Sequence, residues 1–170
     1  RAPAARIDHW APRLRHRGGF RVGVVWRGNP KHHNDANRSV PFATFQRLFD
    51  RAPCEFVSLQ FGANDTEATA LAAHPATSLP DGLVTDFADT AAIVAQLDLV
   101  VTVDTSVAHL AGAMGKPVWV MLPYAPDWRW MLHRPDSPWY PTMRLFRQPV
   151  VNDWSSVLDA VGQELQRAAL

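Results

Sequence analysis

The sequence lacks the residues that build disulfide frameworks and the apolar runs that cross membranes. It has 170 residues but one cysteine, Cys54, which excludes an internal disulfide bond and a metal site with several cysteine ligands. We interpret Cys54 as a small buried hydrophobe, because a strand-like segment follows it. No apolar run reaches the roughly eighteen residues that a transmembrane helix needs. Since 47% of the residues are hydrophobic, the chain has enough apolar surface for one domain with its own core.

A large charge of either sign is also missing. The formal net charge is +1, which excludes a generally nucleic-acid-binding surface. Lysine occurs only at Lys31 and Lys116 among 17 cationic residues, so arginine carries most of the positive charge. This arginine content reflects either genomic base composition or the recognition of phosphate groups. No Asp-x-Asp pair is present to hold a divalent cation, and we predict no metal site.

Signals for secretion and for repetition are absent as well. The sequence shows no signal peptide, no internal repeat and no low-complexity segment. Because it opens with Arg1 instead of a methionine, we expect a domain excised from a longer protein. We predict a cytoplasmic location for that protein.

Short apolar segments alternate with helical patterns along the chain. Strands that are apolar throughout and alternate with helices indicate a parallel sheet covered on both faces. We therefore predict an α/β domain with a doubly wound, Rossmann-like parallel sheet in the strand order 3-2-1-4-5. Residues 1–18 are predicted to be a linker or an incoming helix, and residues 19–170 the domain itself. The predicted strands are residues 21–26, 55–60, 83–84, 98–103, 118–122 and 143–146.

Several polar residues stand where helices are expected to begin. Ser39 is predicted to cap a helix whose phenylalanines recur at helical spacing. Asn64, with Glu67 three residues later, forms a capping-box pattern. Asp89 is predicted to cap the helix that follows it. Predicted helices cover residues 90–96, residues 106–114 and the segment from Asp153 to the end.

The most informative segment joins the fourth strand to the next helix. The apolar run 99–103 stops at Asp104, Thr105 and Ser106, and a short helical pattern follows. Free amide groups and the helix dipole favour negative charge at such a helix start. Ligands of doubly wound sheets bind beyond the carboxyl ends of the strands, where the winding reverses. The loop over residues 26–38 should reach the same edge, so we predict a site for a phosphate-bearing ligand there.

Five segments of the sequence resemble the C-terminal half of GT-B glycosyltransferases. The resemblance is strongest to the heptosyltransferase-like group, family 9, including members fused to tetratricopeptide repeats. It extends over residues 20–150 and does not specify the donor sugar. The resembling segments are residues 86–92, 98–113, 115–120, 126–130 and 139–142.

This resemblance implies half of an enzyme. The chain resembles the donor-binding domain of an inverting, metal-independent glycosyltransferase that uses a UDP- or ADP-linked sugar and no further cofactor. An N-terminal domain would hold the acceptor and supply the catalytic base, with tetratricopeptide repeats as a further expected part of the protein. Two alternatives stay open: a sugar-nucleotide epimerase, which shares this architecture, and a degenerate domain that serves as an interaction module through exposed tryptophans.

The resemblance also implies roles for the residues at the predicted edge. Thr105 and Ser106 would hold the donor diphosphate with the helix N-terminus; alternatively, they only cap the helix. Asp104 would either meet a sugar hydroxyl or brace the loop. Arg38 stands where heptosyltransferases and related N-acetylglucosamine transferases place a lysine, and it would offset the charge of the leaving group. The alternative for Arg38 is a solvated surface arginine.

Further residues are candidates for the donor site. Arg27, Gly28 and Asn29 follow the first strand, where a glycine lets the backbone approach a ligand. Gln60 resembles a position near the ribose, or it caps a loop. His109 either faces the phosphate or the sugar, as a catalytic candidate, or is a satisfied core histidine.

Three more features of the sequence are considered as parts of the predicted site. By resemblance, Phe87 and Asp89 begin the segment that reads the nucleotide base, largely through its backbone. The loop over residues 127–130 walls the donor pocket, meets the missing domain, or packs its aromatic rings onto the sheet. The histidines and the aspartate within residues 32–35 could suggest a metal cluster, but adjacent histidines in an open loop rarely converge on one ion.

Overall fold

A parallel sheet of six strands organises the part of the chain that the structure describes. The structure is a computed structural model, and it describes residues 1–14, 18–78 and 84–170. The strands are β1 (Phe20–Val25), β2 (Cys54–Ser58), β3 (Thr77–Ser78), β4 (Leu99–Val103), β5 (Val118–Leu122) and β6 (Met143–Arg147). Their order is β3-β2-β1-β4-β5-β6, and every pairing is parallel. The predicted order is confirmed for β2, β1, β4 and β5; β6 lies beside β5, and β3 is not the segment predicted as the third strand.

Helices cover both faces of the sheet. Alternate residues of a strand point to opposite faces, so Val100 and Val101 enter different cores. Val101 lies in one core with Phe45 and Val161, and Val100 lies in the other with Trp10. The helices are α1 (Ala4–Trp10), α2 (Asp35–Arg38), α3 (Phe42–Phe45), α4 (Asp65–Ala73), α5 (Phe87–Val94), α6 (Ser106–Ala113) and α7 (Trp154–Ala168), with 3₁₀ helices at Gln46–Asp50 and Trp128–Trp130.

Two predicted helix starts are confirmed in detail. The side chain of Asn64 accepts a hydrogen bond from the Glu67 amide at 2.9 Å. In return, the Glu67 carboxylate accepts one from the Asn64 amide at 2.9 Å, which completes the capping box of α4. Asp153 caps α7 by accepting from the Ser156 amide at 3.0 Å.

Two predicted caps are wrong. Helix α3 begins after Pro41, and the Ser39 hydroxyl instead accepts a hydrogen bond from the Gly28 amide at 3.0 Å. Helix α5 is capped by Asp86, whose carboxylate accepts from the amides two and three residues later. Both Asp86 and Asp89 precede a helical pattern, and the sequence offers no local reason to prefer the earlier one.

Two short elements also differ from the prediction. The predicted strand at residues 83–84 falls partly outside the described residues, since residue 83 is not among them, and Val84 has no regular structure. The third strand is Thr77–Ser78, which pairs with β2. Helix α2 lies inside the segment predicted as a loop. Elements of two and four residues are too short to show a hydrophobic period.

Two predictions from composition concern Cys54 and membrane spans. Cys54 is buried in the core, and desolvation raises the pKa of its thiol to about 11, so it is a hydrophobe as expected. Across the described ranges, no helix combines the length and the apolar character needed to cross a bilayer.

Candidate functional site

The loops after β1 and β4 meet at the carboxyl edge of the sheet. These strands are neighbours, and Arg38 at the end of α2 bridges their loops. Its Nη1 donates to the Asp104 carbonyl at 2.9 Å, and its Nε donates to Asp35 Oδ1 at 3.2 Å. The side chains of Arg38 and Asp35 are 13% and 15% exposed. Arg38 is therefore not a solvated surface residue, because the fold holds it against the loop that leads into α6.

The first turn of α6 lies directly after this contact. Thr105 is its N-cap residue, but its side chain makes no capping hydrogen bond. The Thr105 hydroxyl instead lies 3.0 Å from the hydroxyl of Thr102, and Ser106 is exposed. The alternative that the Thr105 side chain caps the helix is therefore wrong. Amide groups without a side-chain cap start α6 beside Arg38, and such groups attract anions.

Gly28 is needed at this edge because Arg38 lies against it. A Cβ atom on Gly28 would lie 2.4 Å from Nη2 of Arg38 and 2.6 Å from Oδ1 of Asp35. The close approach that we expected for a ligand is thus an approach of the Arg38–Asp35 pair to the backbone. Asn29 is exposed, and its Oδ1 accepts from the Lys31 amide at 3.0 Å, which closes a turn.

The side chain of Arg27 is committed to a structural contact. Its Nη2 donates to Glu67 at 2.7 Å, and the other oxygen of Glu67 accepts from Trp26 Nε1 at 3.0 Å. Burial opposes ionisation of Glu67, but hydrogen bonds from Arg27, Asn64 and Trp26 outweigh it and hold the pKa of Glu67 below its ordinary value. These contacts tie the loop after β1 to α4.

Gln60 caps this loop, as its alternative interpretation stated. Its Oε1 accepts from the amides of Trp26 at 3.2 Å and Arg27 at 3.0 Å. Its Nε2 donates to the carbonyl of Phe61 at 3.0 Å. Both ends of the side-chain amide therefore have a partner in the loop.

His109 is packed among aromatic side chains. Its ring stacks on Trp130 with 5.4 Å between ring centroids, and its Nδ1 lies 3.2 Å from the Tyr140 hydroxyl. These contacts favour the interpretation as a satisfied packed histidine over a catalytic one. They also show that the loop over residues 127–130 packs Trp130 into the core, whereas Trp128 is 70% exposed.

The segment that was expected to read a base contains one exposed and one buried residue. Phe87 begins α5 and is 56% exposed. Asp89 is 2% exposed and accepts hydrogen bonds from Arg6, from Trp10 Nε1 at 3.0 Å, and from the amide and hydroxyl of Thr85 at 2.9 and 2.8 Å. With four donors on its carboxylate, the Asp89 side chain is a structural anchor for α1. Base reading through the backbone of this segment stays a prediction.

The residues within 32–35 do not converge. His32 stacks on His33 with 4.5 Å between ring centroids, while Asp35 pairs with Arg38. In the part of the chain that the structure describes, no group of three His, Cys, Asp or Glu residues is placed to hold a metal ion.

Sequence reasoning missed Thr102. This residue is fully buried in β4, and its hydroxyl donates to the Val103 carbonyl at 2.8 Å and contacts Thr105. A signal was present, because Thr102 is the one polar residue in the apolar run 99–103 and a buried hydroxyl needs a hydrogen-bond partner.

The fold and the edge together define a Rossmann-like α/β domain in which Arg38 lies beside a helix start without a side-chain cap. The model of glycosyltransferase family 9 (heptosyltransferase) matches residues 42–124. This part of the chain is therefore similar to family 9 glycosyltransferases, which confirms the resemblance recognised in the sequence.

Two known proteins are similar over nearly the whole chain. Protein FlbA of Caulobacter vibrioides is 30% identical over 167 residues, which is 95% of this chain and 28% of FlbA. The structure of the E. coli heptosyltransferase WaaC with ADP superimposes with a TM-score of 0.57 at 16% identity, over 96% of this chain and 48% of that chain. The second likeness supports the fold, and the chain spans only part of the length of either protein.

Proposed function

We propose that this chain binds the nucleoside diphosphate of a UDP- or ADP-linked sugar, as the donor domain of an inverting, metal-independent glycosyltransferase. The observation that carries the proposal is the contact between Arg38 and the Asp104 carbonyl. It brings a cation to the start of a helix whose first amides lack a side-chain cap. Neither feature alone indicates a diphosphate, but together they supply donors and charge at one point.

The arrangement suits the departure of a diphosphate. Among the described residues, Nη2 of Arg38 has no hydrogen-bond partner, since the contacts of the guanidinium use Nε and Nη1. A guanidinium held by two contacts needs no reorganisation when charge develops on a leaving group beside it. In a metal-independent enzyme such a cation replaces the divalent ion in this task.

The similar proteins support an adenine nucleotide and a second domain. WaaC was solved with ADP, and 52% of that chain has no counterpart in this one, because the match covers 48% of it. We propose that the acceptor and the catalytic base belong to an N-terminal domain of the same protein. Tetratricopeptide repeats and a cytoplasmic location remain predictions from the sequence.

The test is calorimetric titration of this chain with ADP, UDP and free adenosine. We expect binding of at least one diphosphate, and we expect Arg38→Ala to weaken it by about 10- to 100-fold, since a hydrogen bond to a charged group contributes about 1.5–3 kcal/mol. Adenosine binding should change little. The matched control is Arg47→Ala, which removes an exposed arginine outside the site.

Two outcomes contradict the proposal. One is the absence of binding for both diphosphates at millimolar concentration. The other is equal weakening of ADP and adenosine by Arg38→Ala. Absence of binding combined with self-association of the chain would favour an interaction module, because Trp128 and Trp139 are 70% and 53% exposed.

A further inference from the structure

Two threonines join the end of β4 to the start of α6. The Thr102 hydroxyl donates to the Val103 carbonyl at 2.8 Å, and its oxygen lies 3.0 Å from the hydroxyl oxygen of Thr105. Thr102 is fully buried, whereas Thr105 is half-buried at the predicted ligand edge. The buried hydroxyl thus touches a residue that the sequence assigned to the diphosphate.

Counting hydrogens decides which way the second bond runs. A threonine hydroxyl carries one hydrogen and two lone pairs. Because the hydrogen of Thr102 is used on the Val103 carbonyl, the bond between the two hydroxyls must use the hydrogen of Thr105. The Thr105 oxygen then has only lone pairs left for a ligand.

A diphosphate cannot use such an oxygen. At neutral pH its outer oxygens are acceptors, and an acceptor facing an acceptor forms no hydrogen bond. A hydroxyl group of the ribose or of the transferred sugar can donate to the Thr105 oxygen. The diphosphate is then left to Arg38, Ser106 and the first amides of α6.

We propose that Thr102 is a positioning residue that makes the Thr105 hydroxyl an acceptor for a ligand hydroxyl instead of a donor to phosphate. This inference rests on the proposed function. It changes the role of Thr105 from holding charge to reading a hydroxyl group.

The first arm of the test removes Thr105. In titrations of this chain, Thr105→Val should leave the affinity for inorganic pyrophosphate unchanged. A roughly tenfold loss for ADP but not for 2′,3′-dideoxy-ADP assigns the contact to the ribose. A loss confined to ADP-glucose assigns it to the transferred sugar. A tenfold loss for pyrophosphate, or no loss for any of these ligands, overturns the proposal.

The second arm releases Thr105. Thr102→Val keeps the shape of the side chain but removes its hydroxyl, so the hydrogen of Thr105 becomes free to donate to phosphate. We expect pyrophosphate to bind about tenfold more tightly. Thr102→Ser, which keeps the hydroxyl, should behave like the unaltered chain. The double variant Thr102→Val with Thr105→Val should lose the gain.

A purely structural role for Thr102 gives the opposite sign. Damage to β4 would weaken pyrophosphate binding, and that result, or an unchanged affinity, overturns the proposal. Should Thr102→Val fail to fold, the Thr105→Val arm decides alone. If the unaltered chain binds neither ADP nor pyrophosphate, the proposed function fails and the inference with it; binding with the wrong variant pattern overturns the inference only.

Discussion

Two clusters in this domain pair an arginine with aspartates, and they differ in how fully their donors and acceptors are used. Between α1 and α5, Arg6 contacts Asp86 and Asp89, and the buried Asp89 carboxylate accepts from four donors. At the carboxyl edge, Arg38 contacts Asp35 and the Asp104 carbonyl. There the guanidinium keeps a donor, and a helix start without a side-chain cap lies beside it.

The difference separates a structural cluster from a candidate site. A buried carboxylate with all its hydrogen bonds satisfied stabilises the fold and has nothing left for a ligand. A half-buried cation with a remaining donor can still gain from an anion. Residue types alone do not distinguish the two clusters, since each contains arginine and aspartate.

The largest expected effect is on the structural cluster. Asp89→Ala should lower the free energy of unfolding by about 2–4 kcal/mol, because it leaves the buried Trp10 Nε1 and the Thr85 amide without their acceptor. Urea unfolding followed by circular dichroism measures this change. Asp8→Ala, at an exposed aspartate of α1, is the control and should cost little. A loss of below about 1 kcal/mol would remove the distinction between the clusters.

The pH dependence of stability sharpens the same contrast. Burial opposes ionisation of Asp89, but hydrogen bonds from Thr85, Trp10 and Arg6 outweigh it and hold its pKa well below the ordinary value. The folded state therefore gains stability from the charged form above the unfolded pKa of about 3.9, and loses it as the pH falls through the lower folded pKa. The stability difference between the unaltered chain and Asp89→Asn should shrink as the medium is acidified. Urea unfolding across a pH series measures it, and a difference independent of pH contradicts the assignment.

The smallest expected effect on stability concerns the cluster around Arg38 at the carboxyl edge. Gly28→Ala places a methyl group against Nη2 of Arg38, which is the end of a flexible side chain and can move aside. Stability should change by less than about 1 kcal/mol, while displacement of the guanidinium should weaken ADP binding by about tenfold. Titration and urea unfolding measure the two effects. Ala36→Ser, at an exposed position of α2, is the control. Unchanged ADP affinity would mean that the position of Arg38 is not important for binding.

The prediction from sequence succeeded where the information is local. The apolar run of β4, the bounds of β5 and the Asn64–Glu67 capping box all follow from neighbouring residues. It failed where two neighbouring residues could each cap the same helix, as with Asp86 and Asp89. It also failed where an element is as short as α2. The interpretation of His109, which lies in α6, stayed open because its partner Tyr140 lies 31 positions away in a loop.

The amino-acid sequence by itself determined the order of strands and helices, since hydrophobic periodicity and caps act over a few residues. Only the tertiary structure decided which polar groups remain available for a ligand. The partners that occupy them are distant, with 66 positions between Arg38 and Asp104 and 83 between Arg6 and Asp89. A hydrogen bond needs its two atoms close together in space, whatever their separation along the chain. Bonds between distant residues therefore form only when the chain folds.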